Sequence, residues 1–220
     1  MRGFVNTLDL AYLTGAFLGD GCIYTNLKYH TYQFSITSSD RDLCEICQNI
    51  FKDYFNKSGR IKDIYRDGKY SYSQLVVCSK HIVEFFDKLT NGRKIIPFDI
   101  LSNLEHVKEL IKGLMDTDGW ISKVSHAKDG YIRYRVGMSN TAKWVYDLQK
   151  MLKDHGVQTG NVRILQNYRN GIKNKDSFGI MINTEDYCNK IGFRIKRKQD
   201  LAQEYINYRK EKDNERKKNL

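Results

Sequence analysis

The chain has 220 residues, with 37 Lys and Arg against 26 Asp and Glu, a formal net charge of +11. At ~150 residues per domain this is one large domain or two small ones, enough to bury a core without staples. The charge points to a polyanionic partner, nucleic acid before an acidic membrane surface; no run approaches the ~18 apolar residues of a membrane span. The opening stretch, MRGFVNTLDLAYL, lacks the basic, apolar and small-residue segments of a signal peptide. A soluble intracellular protein is expected, in the cytoplasm of a bacterium or phage-infected cell or in an organelle matrix.

In chain order, the first predicted element is a helix over about Leu8 to Gly19, with Leu10, Leu13, Phe17 and Leu18 on one face. Strands follow through YQFSIT, where Tyr32, Phe34 and Ile36 alternate with Gln33, Ser35 and Thr37. A second helix spans roughly Asp40 to Phe55. Its Cys44-x-x-Cys47 has no second pair or clustered histidines to complete a zinc site. Leu43, Ile46, Cys47 and Ile50 instead recur at helical spacing, so these thiols are expected to be buried, and the five scattered cysteines imply no disulfide framework. Asp67-Gly68 then marks a tight hairpin.

Beyond a linker containing the single proline, Pro97, the pattern starts again. LTGAFLGDGCI (Leu13 to Ile23) matches IKGLMDTDGWI (Ile111 to Ile121), with Asp20 and Asp118 98 residues apart. YQFSITSSD matches YRVGMSNTA, and YRDGK matches YRNGI, whose Asn170-Gly171 is a second hairpin signal. A helix over Thr141 to His155 answers the one over Asp40 to Phe55. The chain therefore reads as two copies of an αββαββα unit: residues 1–90, a linker 91–104, residues 105–193, and a basic helix over 194–220 that frays into a charged tail.

Gly15 and Gly113 lie inside helices, where glycine costs about 1 kcal/mol relative to alanine. With Gly19 and Thr117 four residues on, each helix carries a small-x-x-x-small stripe suited to backbone-to-backbone packing of the two copies. Gly21 and Gly119 read as left-handed helix C-caps. Asp20 and Asp118 are harder to explain, because a carboxylate in the last turn faces the negative end of the helix dipole. Parallel packing would bring the two acids together and add like-charge repulsion. Bound divalent cations would relieve both penalties, and oxygen ligands with spare coordination positions suit Mg²⁺.

At these residues the chain resembles the LAGLIDADG homing endonucleases of the single-chain, two-repeat kind. LTGAFLGDG and IKGLMDTDG are similar to the two signature helices; the first departs from the pattern at Leu18, while the second keeps both acids, Asp116 and Asp118. The resemblance implies an α+β fold, a tandem pseudo-twofold duplication with two antiparallel saddle-shaped sheets and the paired signature helices at their interface. It further implies metal binding by Asp20 and Asp118, helped by the backbone carbonyls of Gly19 and Thr117. Mg²⁺ is the expected ion, with Mn²⁺ a substitute and Ca²⁺ supporting binding without cleavage. Lys94 and Lys196, after the last helix of each copy, are candidates to polarise water or stabilise the transition state, solvated linker lysines being the alternative. Ser38 and Asn140 are weaker candidates to orient solvent.

The resemblance implies that the sheets read a duplex in its major groove, where every base pair is distinguishable. Counting by twos from Asp20 places Cys22, Tyr24, Asn26 and Lys28 on one face; from Asp118, Trp120, Ser122, Val124 and His126. Gln33, Ser35, Arg60, Lys62, Arg66 and Gln74 join the first set, and Arg133, Arg135, Arg163, Asn167 and Arg169 the second. The different residues of the two copies imply a target that is not a perfect palindrome. A basic tail of alternating Lys and Glu reads as a solvated helix, with phosphate contact as the alternative.

The expected function is thus a monomeric, Mg-dependent, site-specific double-strand DNA endonuclease of intron homing. It would cut one phosphodiester in each strand of a long site and leave short 3′ overhangs, with no membrane and no obligate protein partner. The alternative on the same scaffold is an RNA maturase acting on intron RNA, or a nucleic-acid-binding regulator that does not cleave. Self-splicing is disfavoured by chain ends Met1-Arg2 and Asn219-Leu220.

Overall fold

The computed structural model of the chain describes residues 7–92, 95–98, 101, 103–125, 132–166 and 175–218, together with the backbone of 168–169 and 172–173. The chain divides into two compact units, Met1–Asp118 and Gly119–Leu220.

The first unit opens with helix α1 (Leu8–Asp20), capped by the Thr7 hydroxyl, which accepts from the Leu10 amide at 3.1 Å. Every residue from Leu10 to Leu18 is buried, as in a helix enclosed on all sides. Strands β1 (Gly21–Asn26) and β2 (Thr31–Ser38), helix α2 (Arg41–Phe55), strands β3 (Arg60–Arg66) and β4 (Lys69–Cys78), and helix α3 (Lys80–Leu89) follow, and helix α4 (Leu104–Thr117) ends the unit. The sheet is antiparallel, ordered β1-β2-β4-β3. Asp67 and Gly68, at φ 49° and 72°, turn β3 into β4, as the sequence leads one to expect. Phe17, Phe34 and Phe86 stack between sheet and helices with centroids 4.8 to 5.3 Å apart.

The second unit repeats the order: β5 (Gly119–Ser125), β6 (Ile132–Asn140), α5 (Val145–Asp154), β7 (Arg163–Leu165), a small β8 (Tyr168–Arg169)–β9 (Ile172–Lys173) hairpin, β10 (Ser177–Ile182), α6 (Thr184–Lys190) and α7 (Lys196–Lys218). Its main sheet, β5-β6-β10-β7, has the connectivity of the first. The duplication extends to single hydrogen bonds. The Gln48 amide donates to the Gly59 carbonyl at 2.6 Å, and the Gln149 amide to the Gly160 carbonyl at 2.7 Å. Ser38 Oγ accepts from the Asp40 amide at 3.1 Å, and Asn140 Oδ1 from the Ala142 amide at 2.7 Å. Ser38 and Asn140 thus stabilise the turn after each second strand, a local duty that occupies the groups the sequence reading offered for solvent.

The boundary between compact units falls after Asp118, because α4 packs on α1. Three expectations are corrected. Gly21 is extended (φ −76°, ψ 149°) and not left-handed; it is small because a Cβ there would lie 2.3 Å from the Phe17 ring and 2.6 Å from its carbonyl oxygen. Helix α5 starts at Val145, since residues 141–144 form a turn. Helix α7 does not fray after its first turns but stays helical to Lys218. Among the described residues no helix is long and apolar enough to cross a membrane.

Cys44, Cys47 and Cys188 are buried and Cys22 and Cys78 exposed. Burial pushes the Cys44 thiol up to about 11 and the Cys188 thiol up to about 12, so neither supplies reactive thiolate near pH 8. Ellman titration is expected to find two fast thiols in the native protein and all five in denaturant. A third fast thiol in the native state would contradict this packing.

Candidate active site and nucleic-acid interface

The site is built by the α1–α4 pair. A Cβ on Gly15 would lie 2.2 Å from the Leu110 carbonyl oxygen, and one on Gly113 2.2 Å from the Tyr12 carbonyl oxygen and 2.7 Å from the Ala16 nitrogen. Backbone therefore rests on backbone, as the glycine stripes imply. Gly15 meets Gly113 and Gly19 meets Thr117, so the helices run in the same direction and end together. At that shared end a Cβ on Gly19 would lie 2.0 Å from Thr117 Oγ1 and 2.8 Å from Asp118 Oδ2. The Asp118 carboxylate thus lies against the terminal glycine of α1, one residue before Asp20.

Asp20 is exposed and Asp118 half-buried. Neither helix has a basic residue in its last turn, so two carboxylates sit at two negative helix ends. Among the described residues no three or more His, Cys, Asp or Glu gather into one metal-holding group. Ligands beyond the two carboxylates would therefore be carbonyl oxygens and water, a donor set that fits a hard, partly hydrated cation such as Mg²⁺ and not Zn²⁺. The Thr117 hydroxyl donates to the Leu114 and Gly113 carbonyls at 2.9 and 3.1 Å, so Thr117 would contribute through its backbone carbonyl.

The other acid of the second motif does different work. Asp116 is 1 % exposed and accepts a 2.8 Å hydrogen bond from the Tyr12 hydroxyl across the helix pair. Leu18, its counterpart in the first motif, is fully buried. This motif position therefore belongs to the helix interior, which explains how the first copy tolerates leucine. Tyr12 was not legible as a partner, because nothing local links residues so far apart in sequence.

Lys94 lies outside the described residues. The Lys196 side chain is 80 % exposed, and its ammonium pairs with Asp200 at 2.7 Å, one turn along α7. The lysine with a structural hold is Lys198, 3 % exposed, whose ammonium donates at 2.6 Å to the carbonyl of Gly119, the residue after Asp118. Its one sequence signal is the buried stripe Lys198, Ala202, Tyr205 at helical spacing. Lys198→Met is expected to cost about 1.5–3 kcal/mol, the worth of a charged hydrogen bond. Lys196→Ala should change stability by less than about 1 kcal/mol, its pair being exposed. Urea unfolding of both variants checks the contrast.

The strand registers fix which side chains share a face. Tyr24 pairs with Gln33, Cys22 with Ser35, Thr37 with Gln74, Lys62 with Gln74 and Arg60 with Val76. Tyr24, Asn26, Gln33, Ser35, Arg60, Lys62 and Gln74 thus share the face opposite the buried Phe34, Ile36 and Leu75. The Arg66 guanidinium joins them, 5.6 Å over the Tyr72 ring, and Lys28 lies in the β1–β2 turn, 5.2 Å over the Tyr29 ring. Two members project less than expected. Ser35 is buried. The Asn26 side chain accepts from the Tyr29 amide at 3.3 Å and donates to the Tyr24 hydroxyl at 3.1 Å, fixing the turn.

In the second sheet Ser122 pairs with Arg135, Val124 with Arg133 and Gly179 with Arg163, so these arginines share one face with Trp120. His126 and Asn167 lie outside the described residues, as does the side chain of Arg169.

Residues 7–90 match the profile of the LAGLIDADG-like domain. A mesophilic variant of the homing endonuclease I-DmoI has the same fold at a TM-score of 0.58 and 20 % identity, over 84 % of this chain and 90 % of that one. I-GzeII, a LAGLIDADG homing endonuclease solved in complex with its DNA target, matches at 0.55 and 15 % identity, over 92 % and 91 % of the two chains. The N-terminal LAGLIDADG domain of DUF199/WhiA matches at 0.56 and 15 %, over 89 % and 86 %. In sequence, the ATP-dependent DNA helicase Hel308 of Thermococcus kodakarensis is 22 % identical over 195 residues. That match takes in 85 % of this chain but only 16 % of the helicase. The first repeat thus matches the LAGLIDADG-like domain, and the chain as a whole has the fold of the LAGLIDADG homing endonucleases.

Proposed function

We propose that the protein is a site-specific double-strand DNA endonuclease acting as a monomer on a long, non-palindromic target. The observation that carries this reading is the placement of Asp20 and Asp118 at the ends of the parallel, backbone-packed helices α1 and α4, where two acidic side chains and nearby carbonyls offer hard oxygen ligands. The fold alone does not decide the chemistry, since the same architecture serves proteins of different names.

Asp20 and Asp118, with the carbonyls of Gly19 and Thr117, would hold Mg²⁺, which supplies water activation and neutralises charge on the scissile phosphate. Mn²⁺ would substitute and Ca²⁺ would support binding alone. The two carboxylates accept hydrogen bonds from the attacking water and orient it in line with the P–O3′ bond. Water oxygen joins phosphorus, the 3′ oxygen leaves and takes up a proton, and one such hydrolysis in each strand leaves short 3′ overhangs. Lys198, through the Gly119 carbonyl, holds the backbone that follows Asp118 in place. Arg60, Lys62, Arg66, Gln33 and Gln74 on one sheet, and Arg133, Arg135 and Arg163 on the other, would contact bases and phosphates of the two half-sites.

Binding selection from a randomised duplex pool in Ca²⁺, beside a structured RNA pool, tests the reading. One long duplex sequence should emerge, with affinity falling steeply as salt rises, because several phosphate contacts release counterions. Enrichment of RNA alone would favour a maturase. A duplex bound but never cut in Mg²⁺ would favour a regulator.

A further inference from the structure

The two sheet faces differ in chemistry. The first carries Gln33, Gln74, Arg60 and Lys62 across its centre. The second is interrupted by a groove of about 330 Å³ along β6, β10 and β7 walled by the side chains of Trp120, Leu165 and Met181, with Ser139, Asn161 and Arg163 also lining it. Glycines make this groove possible. A Cβ on Gly137 would lie 2.6 Å from the Trp120 ring, and one on Gly179 2.8 Å from Leu165 Cδ1, so both apolar side chains lie flat over backbone. Met181 and Leu165 are 47 % and 40 % exposed, a standing cost in water. Arg133, Arg135 and Arg163, all exposed, share the same face.

Resting on the DNA-binding reading above, we propose that this groove is a thymine-methyl subsite, which makes the half-site read by the second repeat depend on thymine methyls. Charge sets the occupant: an apolar groove on a face bearing three exposed arginines is built to be dried against a polyanion. The major groove displays a single apolar group, the C5-methyl of thymine. Ser139, Asn161 and Arg163 at the groove can meet polar base edges, but against the walls of Trp120, Leu165 and Met181 only a methyl group is dried without losing hydrogen bonds to water. The groove at the ends of β2 and β4 on the first sheet is lined by His30, Thr31, Tyr32, Cys78, Ser79 and Lys80, with no aliphatic wall like that of Leu165 and Met181, so the methyl requirement belongs to one half-site.

The test replaces the thymines of the selected duplex by deoxyuridine, one half-site at a time, which removes each methyl and keeps every hydrogen-bonding group. Binding is measured in Ca²⁺, the condition of the selection. Affinity should fall about fourfold for each methyl that the groove holds, in one half-site and not the other. Met181→Gln, at an exposed position, should bind thymine and uracil duplexes alike, the coupling that a direct contact requires. Introducing 5-methylcytosine in place of cytosine at a sensitive step should recover part of the methyl effect. Equal affinity of thymine and uracil duplexes, or discrimination that survives Met181→Gln, would overturn the subsite and leave DNA binding standing. Failure to bind any duplex would overturn both.

Discussion

Gly15→Ala and Gly113→Ala are each expected to destabilise the first unit by about 3 kcal/mol or more, the upper range for forcing atoms into a filled interface. Alanine is ordinarily the better helix former by about 1 kcal/mol, so the sign itself is diagnostic. The new methyl would sit 2.2 Å from a carbonyl oxygen of the opposite helix at either site. That neighbour is backbone, which cannot rotate away, and relief would require the helices to part. Parting them would also strain the Tyr12–Asp116 hydrogen bond and leave a carboxylate in an apolar interior. Urea unfolding followed by circular dichroism checks this. Substitution with no loss, or a gain, would show that the helices do not pack backbone to backbone.

Asp20→Asn and Asp118→Asn should do the reverse: activity falls while the fold holds. The amide keeps the shape of the side chain, so the fold should hold. The same change removes the anionic oxygens that would hold the cation and orient water. Loss of several kcal/mol of transition-state stabilisation corresponds to at least about a thousandfold in rate. Single-turnover cleavage of a selected site, with binding in Ca²⁺ and unfolding on the same samples, separates the two effects. Affinity should stay within a few fold. A variant that unfolds more easily, or cuts at the wild-type rate, would show that the carboxylates serve structure alone.

Much of this was legible because it repeats. Alternation of two in YQFSIT and YIRYRVGM gave the strands and, through the registers, the faces on which Gln33, Arg133 and Arg135 lie. The paired glycines gave the helix packing, since a cost borne twice at matching positions needs one cause. What escaped was of two kinds. Tyr12–Asp116 and Lys198–Gly119 join residues distant in sequence, and no local pattern carries such a pair. Gly21 was misread because the left-handed cap is glycine's commonest duty after a helix, whereas here the Phe17 ring leaves no room for a Cβ. The tail stays helical because pairs at i,i+3 and i,i+4, Lys212–Glu215 and Lys196–Asp200 among them, support a helix that buries little. Asn26, expected to read bases, instead holds its own turn.

The measurement that bears most directly on the central claim is selection of cut molecules from a randomised duplex library in Mg²⁺, with Asp20→Asn run in parallel. Wild type should return one long site, cut once in each strand with short 3′ overhangs, and the variant none. Cut ends at the same site from both proteins, or none from either despite tight binding, would contradict a catalytic centre at the ends of α1 and α4.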